Sequence, residues 1–351
     1  MNVLIAMSGG VDSSVVAFLM KKSGAECSGV TMKLTDSMFA SPSCCTDDDI
    51  NDAKNVAKAL GIPHKVVNFT SNFKEMVVDS FVRCYENGLT PNPCILCNRY
   101  IKFNQLFSEL DKSSDSKIAT GHYARVDYDK ESGRYLLKKA CDPSKDQTYV
   151  LYSLTQEQLS KVIFPLGEFT KSAVREIAEA NGFINANKKD SQDICFIKDG
   201  KYYEFIESYT KKAYPGGDFI DKDGNVLGSH KGIIRYTVGQ GKKLGLILPE
   251  PLYVSSVNAE TNKVTLVKES ELYEDTLYAG DLNLISVKSI EKPMRVKAKI
   301  RYRHTEASAT AVQTDTDTLK VVFDEPQRAI TKGQAVVLYD GDIVVCGATI
   351  I

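Results

Sequence analysis

The chain has 351 residues, 43% hydrophobic and 25% charged, with 44 Lys and Arg against 45 Asp and Glu for a net charge of −1. That length holds two or three domains, each with its own core, and the composition excludes disordered, collagenous and disulfide-scaffold proteins. Near-neutral charge gives no global nucleic-acid signal and no apolar run reaches the length of a membrane span, while nine cysteines without a basic, apolar leader suggest a reducing cytoplasmic compartment.

In chain order, the apolar run Val3-Leu4-Ile5-Ala6 reads as a buried strand, and Val15, Phe18 and Leu19 give the following stretch the apolar face of a helix. Between them lies Ser8-Gly9-Gly10-Val11-Asp12-Ser13-Ser14. Glycines let the backbone approach a ligand closely, and a helix start offers free N–H groups and a positive dipole end to an anion. The segment is therefore a phosphate cradle, although it lacks the Gly-Lys-Ser/Thr ending of a Walker loop. An ordinary glycine-containing turn would account for two glycines, but less well for the whole string directly after a strand.

Strands are expected at 27–32, 64–68 and 117–120, with helices at 47–60, 73–86 and 101–110. Strands alternating with helices over the first 200 residues predict an α/β fold, a doubly wound parallel sheet that binds ligands at the carboxyl ends of its strands. Near residue 200, Pro215-Gly216-Gly217 and Asp221-Lys222-Asp223-Gly224-Asn225 bring turn chemistry and short alternating strands. Six strands are expected at 282–287, 294–302, 307–314, 319–323, 335–339 and 343–350, a spacing that suggests a small β-barrel. The expected domains are 1–200, 201–276 and 277–351, the last two β-rich.

Charge is local where it matters. From Lys288 to Arg303 there are seven basic residues and one acid, Glu291, and residues 295–303 alternate strictly as a strand with one cationic face. Such a face is either simply solvated or a phosphate-binding surface. Three segments carry thiols that could do chemistry. In Asn92-Pro93-Cys94-Ile95-Leu96-Cys97-Asn98-Arg99, a helix starting near Cys97 or Asn98 would place Cys97 at a helix N-terminus beside Arg99 and Lys102, favouring its thiolate. A single C-x-x-C fits half a zinc site, a redox pair or a nucleophile with a neighbour. Cys195 follows Lys188 and Lys189 in a polar loop, and Cys44-Cys45 reads as a pair of surface loop thiols.

Taken together, these segments resemble the tRNA-specific 2-thiouridylases of the N-type ATP pyrophosphatase (PP-loop) superfamily. The resemblance runs nearly the full length of the chain: 8–14, 90–103, Ala119-Thr120-Gly121-His122-Tyr123-Ala124-Arg125, Asp146-Gln147-Thr148-Tyr149, 189–196, Gly239-Gln240 with Gly245, Ile300-Arg301-Tyr302-Arg303, Pro326-Gln327-Arg328-Ala329 and Gly333-Gln334. It implies an adenine nucleotide alpha hydrolase-like sheet followed by two small β-rich domains, the last a tRNA-binding barrel. It also implies ATP-dependent 2-thiolation of the wobble uridine, position 34, of tRNAs for lysine, glutamate and glutamine. Sulfur would come from a donor protein or desulfurase relay.

By the same resemblance, Ala6, Met7, Ser8, Gly9, Gly10, Val11, Asp12 and Ser13 would hold ATP phosphates, with Met32 and Gly121 completing the nucleotide pocket and Asp12 helping to position Mg2+. Cys195 would carry a persulfide and Cys97 would be its partner nucleophile, releasing sulfur as the two form a disulfide. Asn92, Pro93 and Cys94 would meet the target base, and His122, Lys145, Asp146, Gln147, Arg301, Tyr302 and Gln334 would contact tRNA. His64, His230 and His304 read as structural or solvent-facing. Many family members carry aspartate where this chain has Cys94, so an accessory thiol or an iron–sulfur cluster on Cys94, Cys97 and Cys195 stands as the alternative sulfur route. Rival readings from other classes are an ammonia-using PP-loop ligase and an RNA- or metal-binding scaffold without turnover.

Overall fold

Val3, Leu4 and Ile5 are almost wholly buried in the strand Asn2–Ala6, the middle strand of a five-stranded sheet. The strand order is His64–Asn68, Glu26–Lys33, Asn2–Ala6, Ser116–Ala119, Val162–Ile163, and every pairing is parallel. The computed structural model describes residues 1–35, 46–110, 115–188, 194–197 and 200–351; Cys44 and Cys45 lie outside them. Asn2–Ala6 sits where the chain switches from building one side of the sheet to the other, so the turn after it opens into the crevice where doubly wound sheets bind ligands.

Sequence dictates the flanking helices through apolar faces and caps. Val11–Lys22 buries Val11, Val15, Val16 and Ala17 against Val3, Ile5 and Met7, each fully buried valine contributing about 2 kcal/mol. Asp47–Ala59 starts at a reciprocal capping box, Thr46 with Asp49, and carries three acids in its first turn. The helix expected from Cys97 or Asn98 begins earlier, because Asn92 accepts a hydrogen bond from the Cys94 amide and Pro93 occupies the first turn. It runs through Pro93–Leu96 into a wide i→i+5 segment, Cys97–Gln105, and ends in a 3-10 turn, Leu106–Glu109.

Beyond residue 200, a four-stranded sheet has the order Val226–His230, Gly217–Ile220, Lys263–Val267, Tyr253–Asn258. Six antiparallel strands follow: Tyr273–Leu284, Leu319–Arg328, Ala307–Gln313, Met294–Lys299, Ala335–Asp340 and Ile343–Ile350 in spatial order. Tyr273–Leu284 pairs with both Leu319–Arg328 and Ile343–Ile350, which closes the barrel. This strand starts nine residues before the expected 282, and the cationic strand ends at Lys299, so 300–304 form a turn at the barrel's rim. A hairpin absent from the sequence reading, Arg125–Asp129 with Arg134–Lys138, joins the barrel where Lys138 pairs with Ile343. Among the described residues, no helix is long and apolar enough to cross a membrane.

Candidate functional site

The loop after Asn2–Ala6 folds its hydroxyls back on itself and spends the Ser8 amide on one of them. Gly10 caps Val11–Lys22 without a side-chain hydrogen bond to the first turn. The Ser13 and Ser14 hydroxyls turn back to the Gly10 carbonyl at 3.0 and 3.1 Å, and Ser13 Oγ accepts from the Ser8 amide at 3.1 Å. Gly9 has φ +75°, and a Cβ there would lie 2.2 Å from the Asp49 carbonyl oxygen, so only glycine lets the loop pass the helix Asp47–Ala59. Remote side chains fasten it: Asn185 donates to the Gly9 carbonyl (3.0 Å) and to Ser14 Oγ (2.9 Å), and the Lys188 ammonium reaches that carbonyl, Asp49 (2.6 Å) and Asp52 (2.8 Å).

Asp12 is committed to protein partners. Lys171 donates to both carboxylate oxygens at 2.7 and 2.9 Å, and Tyr123 Oη donates to one at 2.8 Å. That arrangement does not suit a divalent ion at Asp12, whose oxygens already face a cation.

A cavity of about 810 Å³ opens over the loop. Ala6, Ser8, Gly10, Val11, Asp12, Ser13, Met32 and Gly121 line it, whereas Met7 is buried in the core beneath and Gly9 packs against Asp49. It is also lined by His122, Lys145, Asp146, Gln147 and Tyr302, together with Lys102, Lys188, Lys299, Arg303 and His304. Lys299 to His304 come from the barrel, so a site begun at residue 6 is completed about 300 residues later. Several wall residues are braced from behind. Asp146 holds the Ala140 amide and the Thr148 hydroxyl, Gln147 accepts from the Tyr123 amide at 2.9 Å, and His122 is 2.7 Å from Thr120 Oγ1. Burial, with Lys102 adding to it, drives the His122 pKa well down, so its ring is neutral.

Five of the expected tRNA-contact residues do not line the cavity: Cys94, Asn92, Pro93, Arg301 and Gln334. Asn92 and Pro93 form the helix start, Arg301 donates to the Arg328 carbonyl (3.1 Å), and Gln334 donates to the Thr90 and Pro91 carbonyls (2.8 and 3.3 Å). Gln334 thus ties the barrel to the segment that leads into the cysteine helix. Arg99 makes a two-armed pair with Asp281 on a barrel strand, one arm at 2.9 Å. On the cationic strand, Arg295 is likewise taken up by Asp324 at 2.6 and 2.7 Å, leaving the rim turn and Lys299 as the part that faces the cavity.

None of the three cysteines lines the cavity, but they lie within reach of one another's charge. Cys97 is 8% exposed and shares an apolar cluster with Cys195 and Phe196. Burial pushes its thiol up to about 12, with Lys102 opposing and Cys195 and Cys94 adding to the rise. The thiolate expected from a helix start is overturned: Cys97 lies in the second turn of the helix, and Arg99 is neutralised by Asp281. Cys94 is solvent-exposed, yet desolvation by the surrounding protein pushes its thiol up, again against Lys102. Among the described residues, no three His, Cys, Asp or Glu side chains converge on a metal position, so the arrangement does not fit a cluster on Cys94, Cys97 and Cys195.

Sequence reading missed the loop's anchors, Asn185 and Lys171, and the cavity cations Lys102 and Lys299 as site residues. Lys102 and Lys299 lay in motifs already singled out; nothing local marks Asn185 or Lys171.

Three family models match the chain: the tRNA methyl transferase HUP domain over residues 1–199, the tRNA methyl transferase PRC-barrel domain over 203–268 and the aminomethyltransferase beta-barrel domain over 274–350. The chain is 48% identical over 352 residues to the tRNA-specific 2-thiouridylase MnmA of Clostridioides difficile, covering 99% of this chain and 98% of that one. It is 50% identical over 354 residues to a tRNA-specific 2-thiouridylase MnmA of Caldanaerobacter subterraneus, covering 99% and 97%. It is 48% identical to the counterpart in Acetivibrio thermocellus, covering 99% of both. With a parallel PP-loop-type sheet, a closed barrel and full-length relatives that share one name, the chain belongs to the tRNA-specific 2-thiouridylase (MnmA) family of the PP-loop superfamily.

Proposed function

We propose that this chain is a tRNA-uridine 2-sulfurtransferase that thiolates the wobble uridine, position 34, of lysine, glutamate and glutamine tRNAs at the expense of ATP. The observation that carries the reading is the shared cavity: the phosphate loop forms one wall, and the basic rim of the barrel, Lys299 with Tyr302 and Arg303, forms the other. An ATP phosphate tail on the loop amides then faces a polynucleotide held by the barrel's cations. The target base leaves its stack to enter such a site.

The chemistry follows from a poor leaving group. The uridine 2-oxygen attacks the ATP α-phosphorus, pyrophosphate leaves, and the oxygen becomes part of an AMP ester. The terminal sulfur of a Cys195 persulfide adds to C2, and the C2–O bond breaks with AMP leaving. Cys97, once deprotonated, attacks Cys195 Sγ. The S–S bond to the base breaks, sulfur stays on C2 as the thione, and Cys97–Cys195 leaves as a disulfide. The sulfane sulfur gains the two electrons that the cysteines lose, so an external thiol must reset the disulfide and a desulfurase-type donor must reload Cys195. Asn92, Pro93 and Cys94 would border the base, with Cys94 an accessory. Beside the loop, Lys171 and Lys188 would meet phosphate charge if Asp12, and Asp49 with Asp52, release them; a Mg2+ brought with ATP would serve the same end.

The test is to supply tRNA and ATP with a persulfide source and measure AMP, pyrophosphate and 2-thiouridine together. The expected result is one AMP and one pyrophosphate per 2-thiouridine, all dependent on tRNA. Thiolation without AMP release would overturn the reading.

A further inference from the structure

The mechanism above places an anionic sulfur in an apolar cluster, and something must offset its charge. Cys97 and Cys195 pack with Leu96, Tyr100, Ile101 and Phe196, where an unpaired anion is costly. The sequence offers two cations on the cysteine helix, and the fold separates their tasks. Arg99 is bound to Asp281 on the barrel and lies against the Tyr100 ring. Lys102 follows Cys97 by five residues in the i→i+5 segment Cys97–Gln105. That winding brings residues five apart onto neighbouring positions of successive turns, where an α-helix would turn them to different faces. Lys102 is half-buried, borders the cavity, and forms no hydrogen bond or ion pair with any described residue. Lys171 and Lys188, by contrast, are each held by carboxylates.

We propose that Lys102 is the cation that holds the anionic sulfur during transfer, standing between the cavity where the base is adenylated and the cluster where Cys97 and Cys195 lie. This rests on the persulfide reading of the site. Its ammonium already opposes the burial-driven rise of the Cys94 and Cys97 thiols and favours the neutral His122 ring, so its field reaches the places where sulfur charge develops. A cation fixed before the charge appears acts mainly on the transition state.

The experiment measures 2-thiouridine formed per pyrophosphate released, in single turnovers with persulfide-loaded protein, for wild type, K102M and K102R, with C195A in parallel and thermal melts on each. In K102M the ratio should fall about 100-fold, the scale for losing one preorganised charge partner, and K102R should restore most of it. A structural defect would lower both products together and leave the ratio unchanged; that result, or a wild-type ratio in K102M, overturns the proposal. Thiolation by C195A would sink the persulfide reading itself, while the K102M ratio would still show whether the ammonium acts after adenylation.

Discussion

The phosphate loop and the cysteine helix, which reaches the same cavity through Lys102, are held in opposite ways. The loop is finished before any ligand arrives: Ser13 and Ser14 fold back on Gly10, Asn185 and Lys188 pin Gly9, and Lys171 neutralises Asp12. The cysteine helix is placed from outside, by Gln334 reaching Thr90 and Pro91 and by Asp281 gripping Arg99, both from the barrel. Its thiols are held in reserve, since burial keeps Cys97 protonated at neutral pH. Activation is thus built into the loop, while sulfur chemistry depends on a partner domain that also forms the basic rim.

The division is broken most severely at the thiols. Cys195→Ala and Cys97→Ala should each abolish 2-thiouridine formation while tRNA-dependent pyrophosphate release persists; loss of both activities in either variant would merge the two halves. Gly9→Ala attacks the other side. The left-handed backbone and the Asp49 carbonyl cost about 2 kcal/mol of strain, or roughly thirtyfold in ATP affinity, with little change in the alkylation rate of Cys94. Calorimetric titration of ATP checks this, and unchanged affinity would mean the loop is not preformed.

A smaller effect sharpens the coupling. Gln334→Ala removes two hydrogen bonds of about 1 kcal/mol each at most and should slow thiolation severalfold more than pyrophosphate release. An equal effect on both steps would show that the barrel does not act through the cysteine helix. Alkylation with iodoacetamide at pH 7.5 should modify Cys94 well before Cys97, and mass spectrometry would expose the reverse order.

The smallest effect per residue is on stability. Burial holds all four histidines, His64, His122, His230 and His304, below the ordinary value of 6.5. Below pH 6.5 the unfolded chain therefore binds protons that the folded one refuses, and stability falls as pH falls. Between pH 7 and pH 6 the loss is at most about 0.7 kcal/mol per histidine, read from urea midpoints. Stability that rises over that window would contradict the burial of these rings.

How far the fold was legible follows from how far each interaction reaches along the chain. The strand at Asn2–Ala6, the loop after it and the helix with the Thr46–Asp49 box are written within a dozen residues, and so are the alternating barrel strands. Cys97 misled because helix position and nearby charge are local, whereas its burial against Phe196 and the removal of Arg99 by Asp281 come from about 100 and 182 residues away. The i→i+5 winding that sets Lys102 against the cysteines leaves no pattern of its own. The hairpin annexed by the barrel was missed for the same reason: its pairing with Ile343 lies more than 200 residues distant.

The central claim is that ATP activates the very oxygen that sulfur replaces. Transfer RNA carrying an oxygen-18 label at the 2-position of the target uridine, thiolated in one turnover by persulfide-loaded protein, tests it directly by mass spectrometry of the nucleotide products. The account predicts the heavy oxygen in the phosphate of AMP, one atom for each 2-thiouridine formed. Label released to water, with unlabelled AMP, would contradict it.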